Sequence, residues 1–292
     1  MKDYVILNNG VKMPRLGFGV YQIDDLAQTQ QVVENGLEVG YRLVDTAQIY
    51  GNEQAVGDAL VHSSIPREDI FVTSKIWVDK YGYDQTLQAF DDSMKKLKLD
   101  YIDLYLIHQP YGDYYGSYRA MEELYMKGKI RALGVCNFSP ERFVDLYMNC
   151  SIKPMINQIE YHPFFQQKEA HHLFEQYQCI TQAWGPLNEG QRHIFENPIL
   201  LKIAKKHHKT VAQIVLRWQI QQGIIAIPKT IHQERMIENM DIWDFQLDQD
   251  DFIKMNQLNL GHSEIIDYQC YSTAKNLNKF KIHENSTKEI HI

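Results

Sequence analysis

Long apolar runs are missing from this sequence. No stretch of its 292 residues approaches the roughly 20 uninterrupted apolar residues of a membrane span. The opening Met1-Lys2-Asp3-Tyr4 contains no run suited to a signal peptide. Paired cysteines are missing too. Cys136, Cys150, Cys179 and Cys270 are scattered, lack metal-ligand spacing and read as free thiols. Positive charge is in deficit: the net charge is −7 and the pI about 5.9, which argues against a general nucleic-acid or anionic-membrane surface. There is no Pro/Gly/Ser-rich linker and no low-complexity block. A soluble cytoplasmic protein is expected, with monomer as the default state.

What is present is enough apolar material, 44 %, for a substantial core. Short β-rich runs alternate with amphipathic helical segments. The runs are Leu16 to Val20, Arg42 to Ala47, Ile70 to Ile76, Tyr101 to His108, Ile130 to Phe138, Met155 to Tyr161, Ile180 to Pro186 and Gly223 to Pro228. Helical stripes follow, such as Leu87, Phe90, Met94 and Leu97. Ser139-Pro140 reads as a helix start, and Thr210 with Gln213 has capping-box spacing. Several runs, Ile102 to Ile107 among them, are apolar on nearly both faces, as parallel strands covered on both sides must be. Eight such units in this length predict a closed (β/α)8 TIM barrel, class α/β, over residues 5–260 of a single domain. Asn9-Gly10 predicts the turn of a leading β-hairpin, and residues 261–292 read as a loop-rich tail. A dinucleotide fingerprint fails at its own spacing, because Gly17-Phe18-Gly19 is followed by Gln22 where the next glycine belongs.

In such a barrel, chemistry sits at the C-terminal ends of the strands. Those ends carry Asp45, Lys75, His108, Asn137, Gln158 with Glu160, Trp184 and Lys229. Any one polar strand end is ordinary; together they describe a convergent pocket. Tyr50 follows Asp45 by one short loop. It is one of 18 tyrosines, and alone it would signify nothing. A phenol is a poor acid at neutral pH. The expectation is that Lys75, held by Asp45, lowers the pKa of Tyr50, while His108 orients a bound oxygen. The pairs His171-His172 and His207-His208 read as solvated, since adjacent helical residues point about 100° apart.

At these residues the sequence resembles the aldo-keto reductase family. Val44-Asp45-Thr46-Ala47-Gln48-Ile49-Tyr50-Gly51-Asn52-Glu53 is similar to its first signature, and Leu104 to Pro110 to the segment carrying its active-site histidine. Ile227-Pro228-Lys229-Thr230, followed by Arg235, Glu238 and Asn239, resembles its C-terminal cofactor signature. The likeness runs in order from about Val5 to Leu260 and is nearest to bacterial reductases of glyoxal, methylglyoxal and 2,5-diketo-gluconate.

The resemblance implies an NADPH-dependent reductase of aldehydes, dicarbonyls or small ketones, with no metal. It implies a tetrad of Asp45, Tyr50, Lys75 and His108. Nicotinamide contacts fall to Asn137 and Gln158, with Trp184 stacking where tyrosine is common. Cys136 and Gly185 stand where serines are frequent, and Leu187 would contribute through its backbone. Lys229, Thr230 and Arg235 would meet the 2′-phosphate end, with Glu238 and Asn239 among the cofactor contacts. Tyr21, Trp77 and His108 would line the substrate pocket. Two rival readings share the barrel: a cofactor-binding regulatory subunit, and a hydrolase using a carboxylate such as Glu160. The intact tetrad weighs against the first; the second leaves Lys229, Arg235 and Asn239 without purpose.

Overall fold

The strands that are apolar on both faces become strands buried on both faces. In a computed structural model, which describes residues 3–282, the chain opens with a hairpin of β1 (Tyr4–Ile6) and β2 (Lys12–Pro14), Val5 opposite Met13. Its connection is five residues long rather than a two-residue turn. Gly10 takes a left-handed φ of 87°, and Asn9 Oδ1 accepts from Val11 N–H, which closes the wider loop.

The barrel then runs β3 (Phe18–Gly19), α1 (Leu26–Val39), β4 (Leu43–Asp45), α2 (Glu53–His62), β5 (Phe71–Ile76), α3 (Tyr83–Leu97), β6 (Ile102–Ile107), α4 (Tyr114–Met126). It continues β7 (Ile130–Cys136), α5 (Pro140–Asn149), β8 (Ile156–Glu160), α6 (Lys168–Gln176), β9 (Ile180–Trp184), α7 (Pro198–His207), α8 (Val211–Gln221) and β10 (Ile225–Ala226). After it come α9 (Gln233–Met240), α10 (Gln249–Asn256) and α11 (Tyr271–Lys279). The eight strands β3 to β10 lie in chain order, each parallel to the next. A parallel bridge from Leu16 to Ala226 closes the ring, and Gly19 N–H donates to Pro228 C=O at 3.1 Å. Every residue of β5 and β6 is buried, so both the barrel interior and the helix layer are packed against them.

Local signals explain several helix ends. Thr210 and Gln213 form the expected reciprocal cap of α8. Pro140 does open α5, but the Ser139 hydroxyl bonds Glu141 instead of a backbone N–H. The histidine pairs depart from expectation in an instructive way. His171 bonds Thr181 Oγ1 and His207 bonds Asp251 Oδ2, both largely buried, while His172 is exposed. In α6 the 100° offset between neighbours sends His171 inward and leaves His172 outside, whereas His208 is the left-handed cap that ends α7 at φ 55°. The tail is loop from Gly261 to Cys270 and then α11, a helix its weak periodicity did not announce. Residues 283–292 of the expected tail lie outside the described residues. Among those described, no helix is long and apolar enough to cross a membrane.

Candidate active site

β4 delivers Asp45 to the C-terminal rim, and the next residues turn sharply. Gln48–Tyr50 form a single 3-10 turn capped by Gly51 at φ 71°. Asn52, which sequence reasoning passed over, fixes this turn: it accepts from Thr46 Oγ1 and donates to Val20 C=O, each at 2.8 Å. Gln48 anchors it from below, donating to Ala89 C=O and Ser93 Oγ and accepting from Trp77 N–H. Tyr50 is thereby held over the end of β5.

There Lys75 points into the barrel, fully buried. Its Nζ donates to Asp45 Oδ1 at 2.5 Å and Thr46 C=O at 2.9 Å, and meets Tyr50 Oη at 3.4 Å. Gln158 donates to the other Asp45 oxygen at 2.8 Å. Burial pushes the Asp45 carboxyl up from its ordinary value, while Lys75 and Gln158 pull it back. His108 follows β6, its ring edge-on to Tyr50 and Trp77 with centroids 5.8 and 5.0 Å away. Burial first, and the Lys75 charge second, hold His108 well below its usual pKa, so it is neutral near pH 7. Its Nδ1 is buried with no hydrogen-bond partner among the described residues.

One expectation is overturned. Tyr50 is pushed well above a phenol's ordinary pKa, by burial first and by the Asp45 charge second. The lysine does not prevail, because its ammonium lies nearer to Asp45 than to Tyr50. The pair presents a dipole, not a free cation, and a buried phenolate loses its hydration.

A cleft of about 570 Å³ opens over this group. It is lined by Tyr21, Asp45, Tyr50, Trp77 and His108, and by Asn137, Gln158, Trp184, Gly185 and Leu187 from later strand ends. Asn137, left-handed at φ 61°, accepts from Trp184 Nε1 at 2.8 Å and donates to His108 C=O. Gln158 commits its N–H groups to Asp45 and Gln182, leaving its carbonyl oxygen for a ligand. At the far end Lys229 and Arg235 line the cleft, exposed and without an ion pair among the described residues. Four candidates do not line it. Lys75 lies beneath, and Thr230 caps its own turn through His232 N–H. Glu238 accepts from Thr210 at the start of α8, and Asn239 is buried on α9. Glu160, the carboxylate a hydrolase would need, is also absent from the lining and is tied to His162 and Ser263. Sequence reasoning missed two lining segments, one with Glu189 and Phe195 and one with Ile265, Ile266 and Tyr268, since neither carries a motif.

The Aldo/keto reductase family profile matches residues 15–260. Glyoxal reductase of Bacillus subtilis (strain 168) is 46 % identical over 260 residues, 89 % of this chain and 94 % of that protein. The crystal structure of MGS-M4, an aldo-keto reductase from a deep-sea metagenome library, aligns with a TM-score of 0.89 at 42 % identity, covering 91 % of this chain and 98 % of that one. An aldo-keto reductase of Bombyx mori, solved in complex with NADP, aligns with a TM-score of 0.86 at 33 % identity, covering 93 % and 98 %. The chain belongs to the aldo/keto reductase family.

Proposed function

We propose that this protein is an NADPH-dependent reductase of small aldehydes and dicarbonyls in which Tyr50 donates the proton. The observation that carries the reading is the position of Tyr50: its hydroxyl stands at the cleft wall, 3.4 Å from a lysine ammonium and beside a neutral histidine.

The residues present fit the cofactor. Lys229 and Arg235, unpaired among the described residues, offer cations for a phosphate at one end, and Trp184 an aromatic face at the other. Gln158 keeps a free amide oxygen for the carboxamide. When bound, NADPH supplies the hydride that reduces the carbonyl carbon. Tyr50 hydrogen-bonds the carbonyl oxygen and gives it the phenolic proton, completing the alcohol. A raised pKa is no obstacle here. It keeps the phenol protonated across neutral pH, and an oxygen gaining alkoxide character is far more basic than a phenolate. Lys75 then offsets the charge left on Tyr50 Oη, and Asp45 fixes Lys75. Neutral His108 orients the carbonyl, and Tyr21 and Trp77 exclude water and bulk. The relative named glyoxal reductase supports dicarbonyl substrates. Four free cysteines suit a reducing cytoplasm. The barrel and its tail are proposed to act as one domain.

The direct test is NADPH absorbance during incubation with methylglyoxal, glyoxal and a generic aldehyde. Loss of absorbance matching alcohol formation is the expected result; no turnover with any of the three sinks the reading.

A further inference from the structure

One hydroxyl in the tail sits at a junction. Ser263 Oγ donates to Glu160 Oε2 at 2.6 Å and accepts from the backbone N–H groups of Ile265 and Ile266 at 3.1 and 2.9 Å. Glu160 ends β8 almost fully buried, and its other oxygen is held by the equally buried His162 at 2.9 Å. Ile265 and Ile266 are the residues the tail contributes to the cleft wall just beyond this point. An added Cβ at Gly185 would lie 3.7 Å from Ile265 Cδ1, which places that side chain over the residue after Trp184. Glu264, between the anchor and the wall, pairs with Arg192, whose segment contributes Glu189 and Phe195 to the same cleft.

We propose that Ser263 is a positioning residue that sets the size of carbonyl the cleft accepts. Through a single hydroxyl it ties the backbone of two wall residues to a buried carboxylate of the rigid barrel. Further along, the loop is held by Tyr111 Oη donating to Tyr268 C=O at 2.7 Å and by the packing of Ile266 and Tyr268 on the core. At its start Ser263 is the tie to the barrel, and loop segments that lose such a tie open at little cost in free energy. With the hydroxyl in place, the isoleucine wall stands at a fixed distance from Tyr50 and Trp77. Without it, the wall recedes, admitting larger substituents and holding small ones less well. The claim rests on the carbonyl-reductase reading.

The test compares wild type, Ser263→Ala and Ser263→Thr. Hydrogen–deuterium exchange at the Ile265 and Ile266 amides needs no turnover and reads the anchor itself. The ratio of kcat/KM for 2-naphthaldehyde to that for methylglyoxal reads its consequence. In Ser263→Ala the two amides should exchange about tenfold faster or more, with the barrel helices unchanged. The ratio should rise by about fivefold or more. Ser263→Thr, which keeps the hydroxyl, should follow wild type. Unchanged exchange at the two amides overturns the anchor, and faster exchange throughout the barrel makes Ser263 a residue of general stability instead. Faster local exchange with an unchanged ratio overturns the specificity role. If wild type reduces neither aldehyde, the specificity claim falls with the reductase reading, while exchange still decides the anchor.

Discussion

Asp45 grips Lys75 more tightly than Lys75 approaches Tyr50: 2.5 Å separates the ion pair and 3.4 Å the ammonium from the phenol. Both charged groups are buried, so removing either leaves the other unpaired in a poor solvent for charge. Lys75→Met should destabilise the fold by about 3–5 kcal/mol and abolish turnover. Adding Asp45→Asn should recover much of the stability and none of the activity. Thermal melts of the single and double variants check this; equal destabilisation in both would mean the pair is not what the lysine maintains.

His108 links pH to stability. Its folded pKa lies well below 6.5, so between the two values the unfolded chain binds a proton that the native state does not. Stability from this group is therefore full above about pH 6.5 and falls as pH drops below it, with a slope of up to about 1.4 kcal/mol per pH unit. Replacing His108 with Gln should flatten that part of the curve. Denaturant midpoints from pH 5 to 8 measure it, and an unchanged slope in the variant would assign the acid sensitivity elsewhere.

Lys229 should discriminate between cofactors. It is exposed, so its bond to a 2′-phosphate belongs at the weak end of charge-assisted interactions, roughly tenfold in Kd. Lys229→Met should weaken NADPH by about that factor and leave NADH nearly unaffected; Arg235→Ala should weaken both, because stacking is lost too. Titration by protein fluorescence separates the cases. Equal weakening of both cofactors by Lys229→Met would remove the lysine from phosphate recognition.

Much of the barrel was legible because parallel strands carry their burial in their composition: Ile102 to Ile107, apolar save for Asp103, is buried on both faces. Residues at strand ends were legible for the same reason, since a polar group after such a run has only the rim to occupy. The balance of forces at Tyr50 was not. Sequence spacing brings Lys75 near the phenol, but only the distances show that Asp45 absorbs its charge and that burial prevails. Glu238 and Asn239 match a signature, but the motif fixes residue types and not their contacts: Glu238 accepts from Thr210 at the start of α8, and Asn239 is buried on α9. The walls formed by Phe195 and Ile265 come from irregular segments, whose placement depends on long-range contacts such as Ser263 with Glu160.

The role of Tyr50 is the central claim, and one pair of measurements on Tyr50→Phe tests it. The substitution keeps the ring beside Tyr21, whose centroid is 4.9 Å away, and removes only the hydroxyl. NADPH affinity by fluorescence titration should stay within about twofold of wild type, while single-turnover reduction of methylglyoxal should fall by about 10²–10⁴-fold. A variant that binds NADPH normally and still retains more than about a tenth of the wild-type rate would contradict the account, because the proton would then come from another group.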